Sequence, residues 1–120
     1  MKQSPTDPLS NLRDALRRFA ADRDWDQYHS PKNLASALCV EAGELLERFQ
    51  WLTDEASKSL SAEQVAQVRE EMADVLLYLI RLADKLNVDL IEAAVSKIAL
   101  NAQKYPADKA RGSSRKYTEL

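Results

Sequence analysis

Four times along the chain a capping residue stands directly before a run of apolar residues spaced by three and four. This repeated helix-start signal constrains the fold more than any other feature. In "TDPL" Asp7 can cap and Pro8 fits the first helical position, and Leu9, Leu12, Leu16, Phe19 and Ala20 form the stripe that follows. Charges in "DRDWDQYH" end that segment. "SPKN" repeats the signal with Ser30 and Pro31 and predicts a second helix to about Leu52. "SAEQ" is a capping box of Ser61 and Gln64, and predicts a third helix to about Asn87. "DLIE" opens a fourth, with Asp89 and Glu92, that stops at Tyr105 before Pro106. Two glycines and four prolines leave little material for the tight turns of a strand-rich fold. The expectation is an all-α domain over residues 1–106, a four-helix antiparallel bundle, with a basic, aperiodic tail over residues 107–120.

The third helix adds a second expectation. Leu76, Leu77, Leu79 and Ile80 project in widely different directions at 100° per residue, so the helix needs cover on more than one side. A chain of 120 residues is short for wrapping it alone, which points to an oligomer of identical subunits.

Composition excludes several classes. A net charge of -2 argues against a nucleic-acid polymer as partner, because phosphate neutralisation needs a basic surface. The longest aliphatic-aromatic run, Val75 to Ile80, is far too short to span a bilayer, so no membrane is expected. "MKQSPTDPLS" lacks the apolar stretch of a secretory signal. The single cysteine, Cys39, cannot pair within the chain, and a cytoplasmic location fits it.

Acids placed beside apolar stripes carry the chemistry. Glu41 and Glu44 are three apart, as are Glu71 and Asp74, so each pair shares a helix face. Spacing alone is a weak signal in a chain with 19 acids. Placement says more. On a helical wheel Glu41 falls among Leu34, Leu38, Leu45 and Leu52, and Glu71 borders Val75 and Leu82. An unpaired carboxylate buried there costs several kcal/mol, roughly, and Arg48 and Lys85 cannot easily neutralise four acids. A divalent cation can. Two carboxylates from each of two facing helices make an all-oxygen site for a hard ion, with Mg2+ favoured and Mn2+ plausible. A di-iron bundle would need Glu-x-x-His on two helices, and the only histidine, His29, lies outside both pairs.

These residues also carry a resemblance. "EAGELLERFQW" followed after a spacer by "EEMADVLLYLIRLADKLNVDL" resembles the MazG-type all-α nucleotide pyrophosphohydrolases, marked by E-x-x-E, a spacer, and E-x-x-D. The likeness is greatest to the dCTP pyrophosphatase branch, and it extends from "FAADRDWDQYHSPKNL" through "SKIALNAQKYP" to "SSRKYTEL". It implies hydrolysis of a nucleoside triphosphate between the α and β phosphates, with Glu41, Glu44, Glu71 and Asp74 as metal ligands and catalytic residues. It implies a homodimer or homotetramer, a dimer of dimers. It places Trp25 and Trp51 near the base, Lys97 and Asn101 at the phosphates and sugar, and Arg115 and Lys116 in a tail that folds over the triphosphate. On the helical wheel Tyr78 lies close to the azimuth of Glu71, one turn on from Asp74, where its ring could lie under the sugar, and Lys85, two turns further on the same side, is another phosphate candidate. One departure stands out: eukaryotic members carry a histidine one turn before the helix-one phenylalanine, where this chain has Leu16. The base therefore follows less directly than the reaction, and dUTP is an alternative. A non-catalytic helical adaptor is the rival from another class, but it gives no reason to keep acids beside the core.

Overall fold

The computed structural model describes residues 7–120; residues 1–6, part of the stretch expected to lack a secretory signal, lie outside the described residues. The four long helices form where their caps are written. α1 (Pro8–Asp22) starts from Asp7, whose carboxylate accepts the Leu9 N–H at 2.8 Å. α2 (Pro31–Glu47) starts from Ser30, whose hydroxyl accepts the Asn33 N–H at 3.2 Å. α2 stops short of the expected Leu52. The backbone tightens as Arg48 N–H reaches Leu45 and Phe49 N–H reaches Leu46, and Thr53 then caps a separate short helix, α3 (Asp54–Ser57). The apolar stripe through Trp51 and Leu52 continues past the helix, so periodicity overstated its length.

α4 (Ala62–Leu86) has both halves of the expected capping box: Ser61 N–H donates to the Gln64 side chain at 2.8 Å, and Gln64 N–H to the Ser61 hydroxyl at 3.1 Å. It ends at Asn87, whose φ of 55° puts it in the left-handed region that asparagine tolerates. α5 (Leu90–Lys104) is capped by Asp89, which accepts the Glu92 N–H at 3.1 Å, and Pro106 prevents its continuation.

The chain falls into two compact units, Met1–Val88 and Asp89–Leu120, and each is described by itself. In the first, α2 and α1 both pack on α4. His29, just before α2, bonds Arg81 near the end of α4, while Arg48, just after α2, bonds Glu71 in its first half, so α2 and α4 run antiparallel. Ala20, Leu34, Ile80 and Ala83 are its buried apolar residues, at least one from each of α1, α2 and α4. α4 still leaves Val65, Met72 and Leu76 exposed on one face, in keeping with a helix apolar on more than one side.

The end of α1 positions the site. After Asp22 the chain turns sharply through Asp24, at φ 54°, and Trp25 N–H closes back on the Ala20 carbonyl at 2.9 Å. A 3-10 turn over Asp26–Tyr28 follows. The turn brings Trp25 edge-on to Phe19, ring centroids 5.7 Å apart, and the Arg23 guanidinium lies 3.6 Å over the other aromatic ring of that pair.

In the second unit the tail is less formless than its composition suggests. α6 (Ala107–Ala110) follows Pro106, Gly112 turns the chain at φ 74°, and a 3-10 turn spans Tyr117–Glu119. Tyr117 packs edge-on against Tyr105 at 6.0 Å, with Lys104 Nζ 5.0 Å from its ring centre, so two aromatic rings hold the tail to the end of α5. Those contacts are between residues whose partners lie a dozen positions away, beyond the reach of a periodicity argument.

Candidate active site

α2 and α4 bring three carboxylates to one point. Glu41 and Glu44 of α2 and Glu71 of α4 each offer an oxygen within 4.8 Å of the others. Glu71 is only 8% exposed, which is an unusual fate for a carboxylate. Arg48 NH2 meets its Oε1 at 3.2 Å, but Oε2 of Glu71 and Oε2 of Glu41 are buried with no hydrogen-bond partner. Two orphaned acceptors in a knot of negative charge is what a protein arranges for a cation. The effect of the crowding falls on Glu44. Its carboxyl is pushed up to about 7, first by the hydrogen bond it shares with Glu41, then by the charge of Glu41, by burial and by Glu71. The cluster could hold a divalent cation, and its donor set, all carboxylate oxygen, suits a hard one.

Asp74 stands one turn further along α4 and does not join this knot; it is exposed and lines a neighbouring cavity. That cavity, about 400 Å³, lies between α1 and α4 and is bordered by the turn after α1. Leu12, Ala15, Leu16, Phe19 and Ala20 come from α1, Trp25 and His29 from the turn, and Asp74, Leu77, Tyr78 and Arg81 from α4. Its surface is largely apolar, with a few polar groups at the edge, the usual make-up of a small-molecule site. Glu71, Asp74, Tyr78 and Arg81 follow one another by three and four, so one strip of α4 runs from the acid knot into the cavity.

The other expected residues have different surroundings. Trp51 is 88% exposed among the turns after α2, apart from the cavity lining. Lys85 Nζ donates to Asp26, which holds that carboxyl below its ordinary range together with Arg81. Lys97 and Asn101 lie exposed on α5, and Arg115 and Lys116 in the tail, all in the second unit. Arg115 N–H donates to the Ser113 hydroxyl at 3.2 Å and lines a shallow concavity with Lys109, Ser113 and Ser114.

Three residues of the cavity stand outside the expected site set. Phe19 reads only as a member of the α1 stripe. His29 reads as a cap or surface residue, yet it is half-buried and lines the wall. Arg81 is the clearest omission: a charged residue inside "YLIRLADK", one turn past Tyr78 and within reach of Asp26 in the turn after α1 and of Asp84 on its own helix. A lone arginine interrupting an apolar run is a signal that periodicity counts pass over.

Comparison with known proteins identifies the family. A model of the MazG-like family matches residues 37–120. Human dCTP pyrophosphatase 1 is 49% identical over 119 residues, covering 98% of this chain and 70% of that protein. The mouse dCTP pyrophosphatase 1 is 44% identical over the same length. The crystal structure of a pyrophosphatase from Archaeoglobus fulgidus superposes with a TM-score of 0.80 at 38% identity, covering 88% of this chain and 99% of that one. The chain belongs to the MazG-like family.

Proposed function

We propose that this chain hydrolyses dCTP, or a base-modified dCTP, between the α and β phosphates to the monophosphate and pyrophosphate, with Mg2+ as cofactor and Mn2+ as a workable substitute. The carrying observation is the acid knot with its two orphaned oxygens, set one helical turn from an aromatic-walled cavity of about 400 Å³. A non-catalytic adaptor would have no use for either feature. The named relatives, dCTP pyrophosphatases and a pyrophosphatase, support the reaction and the substrate.

The residues divide the work by chemistry. Glu41, Glu44 and Glu71 would hold the cation, with Asp74 at the junction with the cavity. A divalent ion bound there supplies charge neutralisation for the polyphosphate and Lewis acidity at its oxygens. Arg48 compensates one Glu71 oxygen. Water is the nucleophile: its oxygen forms the new bond to phosphorus, the α-β bridging bond breaks, and pyrophosphate leaves with that electron pair. A carboxylate that the cation does not saturate, Glu44 or Glu47, would take the water's proton. Among the cavity residues, Phe19 and Trp25 offer flat apolar faces for the base and Tyr78 a ring for the sugar. Lys85 is a candidate donor for phosphate oxygens; by the resemblance Lys97 and Asn101 would meet phosphate oxygens and the sugar hydroxyl, and Arg115 and Lys116 the triphosphate, with Trp51 completing the base site from another subunit of a homodimer or homotetramer. No helix among the described residues is long and apolar enough to cross a membrane, and a reducing cytoplasm suits the single exposed Cys39.

Pyrophosphate release from a panel of natural and base-modified triphosphates in Mg2+ tests the proposal. Turnover should be greatest with dCTP or a modified dCTP, and Glu41→Gln or Glu71→Gln should lower it by about a hundredfold or more while the helical spectrum is kept, since even outer-shell changes at metal sites cost up to about that much. Wild-type turnover in those variants would refute it.

A further inference from the structure

A buried guanidinium lines the cavity. The Arg81 side chain is 7% exposed, and its donors reach two residues of the turn after α1 and one of its own helix. Nε–H donates to His29 Nδ1 at 3.1 Å, NH2 donates to Asp26, and NH1 lies 3.5 Å from Asp84 Oδ2. Asp84 is in turn clasped by Arg17 of α1, whose Nε–H reaches Oδ2 at 2.8 Å. One side chain of α4 therefore ties together the turn after α1 and, through Asp84, α1 itself. Those are the elements that wall the cavity. A buried ionic cluster is a poor device for stability alone, because desolvation offsets its attraction; fixing a geometry is its better-attested use.

The bond to His29 also fixes chemistry. An N–H pointing at Nδ1 requires a lone pair there, so the ring proton resides on Nε2. A second proton on Nδ1 would face the guanidinium, and burial together with the charges of Arg81 and Lys85 pushes the imidazole below its ordinary range. His29 is thus a neutral ring with one remaining donor, Nε2–H, on a residue that lines the cavity.

We propose that Arg81 is the positioning residue of the nucleobase cavity, pinning the Trp25–His29 turn against α4 and fixing His29 as an Nε2–H donor for an acceptor atom on the base. This rests on the reading above that the cavity receives the base of a nucleoside triphosphate. A preset wall binds more tightly than one ordered on binding, so Arg81 acts on substrate capture and leaves the acid knot untouched.

The test compares wild type, Arg81→Met and Arg81→Lys with dCTP in Mg2+. Arg81→Met keeps the length of the side chain without its donors; it should raise KM between about threefold and tenfold, the scale of a lost hydrogen bond, with kcat within about twofold. Arg81→Lys keeps a charge for Asp26 but lacks the fork that also reaches His29, so it should restore thermal stability without restoring KM. Nitrogen NMR of His29 in the full chain should show the proton on Nε2 in wild type and a mixture of tautomers in both variants. Acrylamide quenching of Trp25 in the Trp51→Phe background should increase when Arg81 is replaced. An unchanged KM in a folded Arg81→Met protein, a full rescue by lysine, or an Nδ1 proton in wild type would each overturn the proposal. If wild type hydrolyses no triphosphate, the functional reading fails, while the NMR and quenching results still decide whether Arg81 sets the turn.

Discussion

Arg48 and Glu71 form a half-compensated pair: one guanidinium nitrogen lies 3.2 Å from Oε1 of the carboxylate, and Oε2 has no partner. Arg48 is 40% exposed on its side chain and Glu71 11%, so the arginine is screened by water while the acid is not. Arg48→Met should therefore cost about 1–2 kcal/mol in the absence of divalent ions, less than a fully buried pair would. Added Mg2+ should recover more of the melting temperature in this variant than in wild type. Thermal denaturation in EDTA and in Mg2+ checks both halves, and equal shifts in the two proteins would show that Arg48 and a cation do not share Glu71.

The acid knot makes a pH prediction whose sign is opposite to that of an ordinary salt bridge. Glu44 has an unfolded value near 4.5 and a folded value of about 7, so between those limits the folded chain holds a proton that the unfolded chain has lost. Cation-free protein should become less stable as pH rises through this window, and Glu44→Gln should flatten the dependence. A cation displaces that proton, so Mg2+ affinity should rise over the same window. Melting curves in EDTA at several pH values, and calorimetric Mg2+ titrations, measure the two slopes.

Much of this arrangement is legible in the sequence, for identifiable reasons. Capping acts over three residues, so Asp7, Ser30, Ser61 and Asp89 each announce a helix that forms. Glu41, Glu44 and Glu71 are conspicuous because acids beside leucines need an explanation, and they do converge. The wheel fixes direction about one helix axis and not the distance between two, which is why Asp74 falls in the cavity wall instead of the knot. The cavity itself was hidden, since it depends on a turn at Asp24 that folds Trp25 back onto Phe19. Arg81 shows its partners only when residues 26, 29 and 84 are brought together.

Arg17 and Asp84 give a prediction at the other end of the pH scale. Hydrogen bonds from Arg17, then its charge and that of Arg81, hold the Asp84 carboxyl below 3.8. A depressed carboxyl contributes stability that is complete above its unfolded value and is lost as pH falls through the folded one. Because Arg17 is half exposed, the pair should be worth about 0.5–1 kcal/mol near neutrality. A double-mutant cycle of Arg17→Met and Asp84→Asn, at about pH 7 and at a series of pH values below the ordinary carboxylate range, should show the coupling present at neutrality and declining as pH falls.

The last prediction concerns the exposed face of α4. Val65, Met72 and Leu76 lie seven and four residues apart on one side of the helix, and Met72 alone leaves 58% of its surface open. A row of large apolar side chains on the helix that also carries Glu71 and Tyr78 is favourable only if something covers it. In the proposed homodimer or homotetramer that cover is a second copy. Light scattering should give a mass of two or four times 13.6 kDa. A charge placed in such a contact would be desolvated without a partner, so Met72→Glu should shift the mass toward 13.6 kDa. If Trp51 completes the base site from the neighbouring subunit, KM for dCTP should rise in the same variant. A monomeric wild-type protein with full activity would remove both the cover and the shared site.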